Sequence, residues 1–211
     1  MRTQKQVEEL VRLLLEEYPE ASCTLDYEKP HELLFSVRLA AQCTDERVNQ
    51  ITPALFARFD SLEAFARADV AEVEEYVHST GFFRAKARDI VACAQVLLAK
   101  HGGRVPNTME ELTALPGVGR KTANLILGDL YRVPGSTVVD THCIRLSNRM
   151  GLVDDQKDPV KIEMALRKIL PPEQSSDFCH ALVLHGRAVC DARKPRCETC
   201  CVRHLCQHYS G

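Results

Sequence analysis

Tryptophan is absent from this chain, and aromatic residues of every kind make up only 6% of its 211 residues. No apolar run approaches the ~20 residues a membrane span requires, so no membrane association is expected. The opening stretch, MRTQKQVEELV, lacks the apolar core of a secretory leader, which makes the cytoplasm the expected location. Glycine- and serine-rich linkers, internal repeats and low-complexity tracts are missing too. No segment sustains the period-two alternation of a half-buried strand. A large charge of either sign is also lacking: the formal net charge is −2, which excludes a protein that coats polyanions through bulk basicity. With 45% hydrophobic and 27% charged residues, the chain is neither disordered nor fibrous, and it can bury one sizeable core or two modest ones.

What the chain does have is placed unevenly. Residues 60–78 hold six acids against the single base Arg67, the pattern of a solvated helix face. Residues 187–204 hold five bases (Arg187, Arg193, Lys194, Arg196, Arg203) against Asp191 and Glu198, so a polyanion is expected to meet that region. Of the ten cysteines, Cys23, Cys43, Cys93, Cys143 and Cys179 are scattered, and five crowd between Cys190 and Cys206. Cys190, Cys197, Cys200 and Cys206 form the pattern C-x6-C-x2-C-x5-C. In a reducing compartment that points to a metal or cluster, not to disulfides. Four thiolates suit tetrahedral zinc or a [4Fe–4S] cluster, and Cys201, His204 and His208 keep zinc open.

The apolar spacing is helical almost throughout. Val7, Leu10, Val11 and Leu14 follow i, i+3, i+4, i+7, and Leu33, Leu34, Val37 and Ala41 nearly do. Asp69 with Glu72 and Thr108 with Glu111 have capping-box spacing, and Asp158 precedes a proline suited to a first helical turn. Gly81, Gly102-Gly103, Gly151 and Pro171-Pro172 read as stops. The fold class is all-α, with ten or eleven short helices. Two domains would be packed helical lobes with a cleft between them, and residues 133–139 (VPGSTVV) are the candidate crossing segment.

Residues 115–124, LPGVGRKTAN, are a tight turn between two helices. The glycines supply backbone angles that other residues resist, and the turn presents N–H groups at the positive start of the next helix, a site for phosphate. Lys121 falls in that helix's first turn. A cation is unfavourable there, and an amine so placed is a better nucleophile, although contact with phosphate would equally account for it. Val138-Val139-Asp140-Thr141-His142 delivers an aspartate to another helix start, where an N-cap is sufficient reason for it.

In combination these segments resemble the endonuclease III family of helix-hairpin-helix DNA glycosylases. The resemblance runs through LAAQCTDERVN (39–49), GFFRAKARDI (81–90), LPGVGRKTAN, VVDTHCIRLSNR (138–149) and LHGRAVCDARKPRC (184–197). It implies a six-helix barrel domain containing the hairpin, residues 23–133, and an iron–sulfur cluster domain, residues 1–22 plus 134–211, with a DNA-binding cleft between them. By position, Lys121 would be the nucleophile that forms a Schiff base with the sugar, and Asp140 would stabilise the developing positive charge. Gln42 and Phe82 would wedge into the gap left by a flipped nucleotide. Gly117, Val118, Gly119, Arg120 and His142 would follow the DNA backbone, and Arg193, Lys194 and Arg196 would project from the loop between the first two cluster ligands. Cys190, Cys197, Cys200 and Cys206 would hold a [4Fe–4S] cluster, with Cys201 a neighbour. The implied partner is double-stranded DNA bearing damaged pyrimidines or abasic sites, and one cleft suffices in a monomer.

There are departures from the family pattern. Lys121 and Asp140 are one residue further apart than expected, Phe82 replaces a leucine, Cys43 an alanine and Thr113 a glutamate. The rival readings are an adenine-mismatch glycosylase of the same superfamily, which usually lacks the hairpin lysine, and a non-catalytic zinc-bearing DNA-binding module, which leaves Lys121 and Asp140 unexplained. An electron carrier would account for the cysteines alone.

Overall fold

A computed structural model describes residues 2–209 of the chain. Among them are eleven α-helices, four single-turn 3₁₀ segments and no strand, the all-α class that the apolar spacing predicts. No helix among them is long and apolar enough to cross a membrane. The chain divides into two compact units, one made of Met1–Cys23 with Leu127–Gly211, the other of Thr24–Ile126.

The Thr24–Ile126 unit contains α2 (Pro30–Leu39), α3 (Asp45–Arg58), α4 (Leu62–Arg67), α5 (Val70–Val77), α6 (Phe83–His101), α7 (Met109–Thr113) and the start of α8 (Arg120–Tyr131). The short helices begin where the sequence offers a cap. Thr44, Ser61, Asp69 and Thr108 each accept a backbone N–H with the side chain, replacing a partner that a helix start lacks. The longest helix, α6, runs through the middle of the unit and packs on α4, α5 and α2. Its buried stripe includes Ala87, Ile90, Ala94 and Leu97, and it ends at Gly102 in a left-handed cap. Phe65 anchors the core, its ring 4.9 Å from that of Phe35 and 5.1 Å from that of Phe59. Truncating so buried a phenylalanine costs about 3–5 kcal/mol.

The other unit joins the two ends of the chain. It holds α1 (Gln4–Glu17), the end of α8, α9 (Thr141–Arg149), α10 (Pro159–Ile169) and α11 (Ser175–Ala188), with 3₁₀ turns at Pro172–Gln174, Cys197–Thr199 and Arg203–Leu205. Both α1 and α9 pack on α11, which is buried on several sides, with Phe178, Cys179, Ala181, Leu182 and His185 inside. Gly128 lets the end of α8 approach α11 closely, since a Cβ there would come within 2.9 Å of the Ser176 Cβ. Residues 133–139 are irregular, as Pro134 and Gly135 suggest, and lie within this unit. The boundary between these two compact units falls at residues 126 and 127, inside α8.

Candidate functional site

The hairpin is built from the residues of its sequence string. Thr108 Oγ1 caps α7 and donates to Glu111 Oε2 at 2.6 Å, and Val118 N–H closes the turn onto Leu115 O at 3.2 Å. Gly117 has φ +74°, and an added Cβ would lie 2.8 Å from both Arg38 Nε and Asp89 Oδ2. Backbone angle and space both require glycine there. The Arg38–Asp89 ion pair, closed at 2.6 Å, is therefore the floor on which the turn rests. Gly119 faces open space, and α8 then begins with Arg120 and Lys121 in its first turn. The Lys121 side chain is exposed. The N–H groups and dipole of a helix start favour an anion at such a turn.

Two further residues of this unit share an unusual backbone. Gln42 (φ 55°) and Phe82 (φ 49°) are both in the left-handed region without being glycine. Both are exposed, and Phe82 at 69% is a large apolar ring left in solvent. Strain of this kind costs about 1–3 kcal/mol and concentrates at sites of recognition.

In the other unit, Asp140 caps α9, its Oδ1 accepting the Cys143 N–H at 2.7 Å. The carboxylate is half-buried and held in one orientation by that bond. Two residues on, His142 Nδ1 lies 3.2 Å from Arg145 Nη2. The same nitrogen of Arg145 donates to the carbonyls of Gly186 (3.1 Å) and Cys190 (3.0 Å). Gly186 gives the His142 ring its room, because any Cβ there would collide with it. One arginine thus fastens the VDTH segment to the start of the cysteine region.

Cys190, Cys197, Cys200 and Cys206 line one pocket that is partly open to solvent, and Cys201 is not among its lining residues. Among the described residues, no three of His, Cys, Asp or Glu are gathered closely enough for a single metal ion. Thiolates around one zinc at ~2.3 Å would converge to within about 4 Å of each other. The sulfurs are held from several sides. Arg149 Nη1 donates to Cys190 Sγ at 3.3 Å, and Cys206 Sγ lies 3.4 Å from Arg149 O. His185 bridges Tyr18 Oη to Nδ1 (3.0 Å) and Nε2 to Cys200 Sγ (3.4 Å). Burial pulls the His185 pKa down to about 4, so the ring is neutral at neutral pH.

Between the first two cysteines, Asp191 Oδ1 accepts the N–H groups of Arg193 and Lys194, and Arg149 donates to the Asp191 and Ala192 carbonyls at 2.7 Å. Arg193 and Lys194 are exposed. Arg196 is exposed as well, and its guanidinium donates to the Ala188 carbonyl at the foot of the loop.

The candidate residues therefore fall into two sets. Gln42, Phe82, Gly117, Val118, Gly119, Arg120 and Lys121 belong to the Thr24–Ile126 unit. Asp140, His142, the four cysteines and the basic loop belong to the other. Sequence reasoning passed over Arg38 with Asp89, Arg145, Arg149, and Lys86 beneath Gln42 and Phe82. Only Lys86 left a legible signal, as a lysine on the same helical stripe as Ile90, Ala94 and Leu97.

The profile of the HhH-GPD superfamily of base excision DNA repair proteins matches residues 35–172. The endonuclease III of Synechocystis sp. is 48% identical over 198 residues, covering 94% of this chain and 90% of that protein. The endonuclease III of Escherichia coli is 39% identical, covering 99% and 97%. Among solved structures, a non-covalent endonuclease III–DNA complex superposes with a TM-score of 0.91 at 37% identity, over 99% of this chain and 97% of that one. A thermostable thymine-DNA glycosylase shares the fold at a TM-score of 0.85 and 22% identity, over 97% of each chain. With its hairpin, its VDTH segment and its four-cysteine cavity in place, the chain belongs to the HhH-GPD superfamily of base excision DNA repair proteins and, within it, to the endonuclease III family of DNA glycosylase/AP lyases.

Proposed function

We propose that this glycosylase/lyase acts as a cytoplasmic monomer on double-stranded DNA bearing oxidised pyrimidines or abasic sites, with Lys121 as nucleophile and Asp140 as its charge-stabilising partner. The observation that carries the reading is the exposed Lys121 in the first turn of α8, behind a hairpin whose Gly117 is seated on the Arg38–Asp89 pair. Glycosidic chemistry first needs the damaged nucleotide out of the stack. Gln42 and Phe82 suit the vacated space, one offering hydrogen bonds and the other an apolar face. The N–H groups of Gly117, Val118 and Gly119, with Arg120 and His142, would fix the phosphates without reading sequence. Arg193, Lys194 and Arg196 would add salt-sensitive phosphate contacts of their own.

The lone pair of Lys121 Nζ attacks the sugar C1′. The C1′–N bond breaks, and the base leaves with the electron pair and takes up a proton. Positive charge develops on the sugar as that bond lengthens, and a fixed carboxylate such as that of Asp140 is suited to stabilise it. The C1′–O4′ bond then breaks, O4′ takes up a proton, and a protonated imine remains between Nζ and C1′. Loss of a C2′ proton then expels the 3′ phosphate by β-elimination, and water releases the lysine.

Cys190, Cys197, Cys200 and Cys206 would hold a [4Fe–4S] cluster. What supports this is the four-thiol donor set lining one pocket together with membership of the endonuclease III family. Such a cluster supplies a four-point crosslink of residues 190–206. Arg149 and the neutral His185 would donate to the thiolates of Cys190 and Cys200.

Borohydride trapping on a duplex containing one thymine glycol tests the reading. A covalent protein–DNA adduct is expected with the native chain and not with Lys121→Gln. An adduct of equal yield in that variant overturns the assignment of the nucleophile. Absence of any adduct on both this duplex and an abasic-site duplex overturns the bifunctional reading.

A further inference from the structure

Lys86 is 0% exposed, although lysine is among the costliest side chains to bury. Its Nζ donates to Leu39 O and to Thr80 O, each at 2.7 Å. Leu39 is the last residue of α2, and Thr80 is the last of the 3₁₀ turn His78–Thr80. The final carbonyls of a helix lack donors of their own and carry the negative end of its dipole. One ammonium on α6 therefore caps two helix ends that arrive from different parts of the chain. Gln42 lies three residues beyond one of these acceptors, and Phe82 lies two beyond the other. Both have the left-handed backbone, which persists only where the surroundings over-determine it. An apolar side chain at position 86 would fill the space without fixing either carbonyl.

We propose that Lys86 is a positioning residue that fastens the segments carrying Gln42 and Phe82 to α6, so that both side chains enter a duplex together. The proposal rests on the wedge role given to those two residues above. It assigns Lys86 no contact with DNA. What it predicts is a defect confined to substrates that must be unstacked.

The test compares single-turnover cleavage of two substrates: a thymine glycol duplex, and a single-stranded oligonucleotide with one abasic site, which has nothing to unstack. Lys86→Met, isosteric but without donors, is expected to slow the duplex reaction about 10- to 100-fold while changing the single-strand reaction less than about threefold. 2-Aminopurine opposite the lesion should lose its fluorescence rise on binding in the same variant. Lys86→Gln, which can still reach one carbonyl, should fall between. Adding Lys86→Met to Gln42→Ala/Phe82→Ala should cost nothing further, because the coupled groups are already gone. Equal losses on the two substrates, no loss on either, or failure of both Lys86 variants to fold each overturns the proposal. Wild-type duplex excision by Gln42→Ala/Phe82→Ala overturns the wedge reading itself. Strong loss in that double variant beside an unaffected Lys86→Met overturns only the role of Lys86.

Discussion

Asp140 caps α9 and is also proposed to stabilise charge on the sugar, and the two roles are separable because asparagine caps a helix as well as aspartate does. Asp140→Asn keeps an oxygen for the Cys143 N–H and loses the charge. Its thermal stability should therefore stay near that of the native chain while single-turnover excision falls about 100-fold or more. Asp140→Ala should lose the activity and about 1 kcal/mol of stability as well, read by denaturant unfolding. If Asp140→Asn remains fully active, the residue is only a cap. The hairpin glycines separate in the same way. Gly117→Ala places a Cβ against Arg38 and Asp89 at φ +74°, so a loss of about 1–3 kcal/mol is expected with weakened duplex binding. Gly119→Ala meets open space and should weaken binding with little change in stability. Comparable destabilisation by both would contradict the picture of Gly117 resting on the ion pair.

Among the elements, the helix starts were the most legible in the sequence. Asp69, Thr108 and Asp158 cap α5, α7 and α10 from the positions their spacing indicated, because capping is decided within four residues. The start of α6 was not legible. Its cap residue Phe82 makes no side-chain bond, and Lys86, whose ammonium holds the Thr80 carbonyl just before it, also reaches the Leu39 carbonyl 47 residues away. The basic loop was read from charge alone, and charge does not say which way a guanidinium turns. Arg193→Ala and Lys194→Ala should each reduce the slope of log affinity against log salt by about 0.9, measured by fluorescence anisotropy across a salt series. Arg196→Ala should change that slope less, because its guanidinium serves the Ala188 carbonyl and so holds the loop. A full unit lost in Arg196→Ala would show that the side chain reaches phosphate after all.

At the scale of the whole molecule, the cysteine spacing stands out in the sequence because four cysteines lie within 17 residues of chain. Its supports, Arg149 from α9 and Tyr18 with His185 from α1 and α11, do not, since nothing local marks them. Serine in place of Cys197 should give a colourless protein with little iron and a readily proteolysed C-terminal segment, because the energy of binding a cluster is energy of folding for the segment around it. Cys201→Ser should stay brown, as that residue is outside the cavity lining. Retained iron in Cys197→Ser, or its loss in Cys201→Ser, would redraw the ligand set. The Thr24–Ile126 unit, whose core is built from its own helices, should resist protease longer than residues 190–209 in the colourless variant.

The packing of α1 on α11 also sets an order of events during synthesis. Val7, Leu10, Val11 and Leu14 leave the ribosome first, and the surface that covers them is made last. At about 5–20 residues per second, that apolar stripe waits roughly 10–30 s for its partner. The Thr24–Ile126 unit is complete well before then. Between residue 126 and the end of α11, the nascent chain therefore carries a fully synthesised Thr24–Ile126 unit beside one uncovered amphipathic helix, a segment that a ribosome-associated chaperone would be suited to shield.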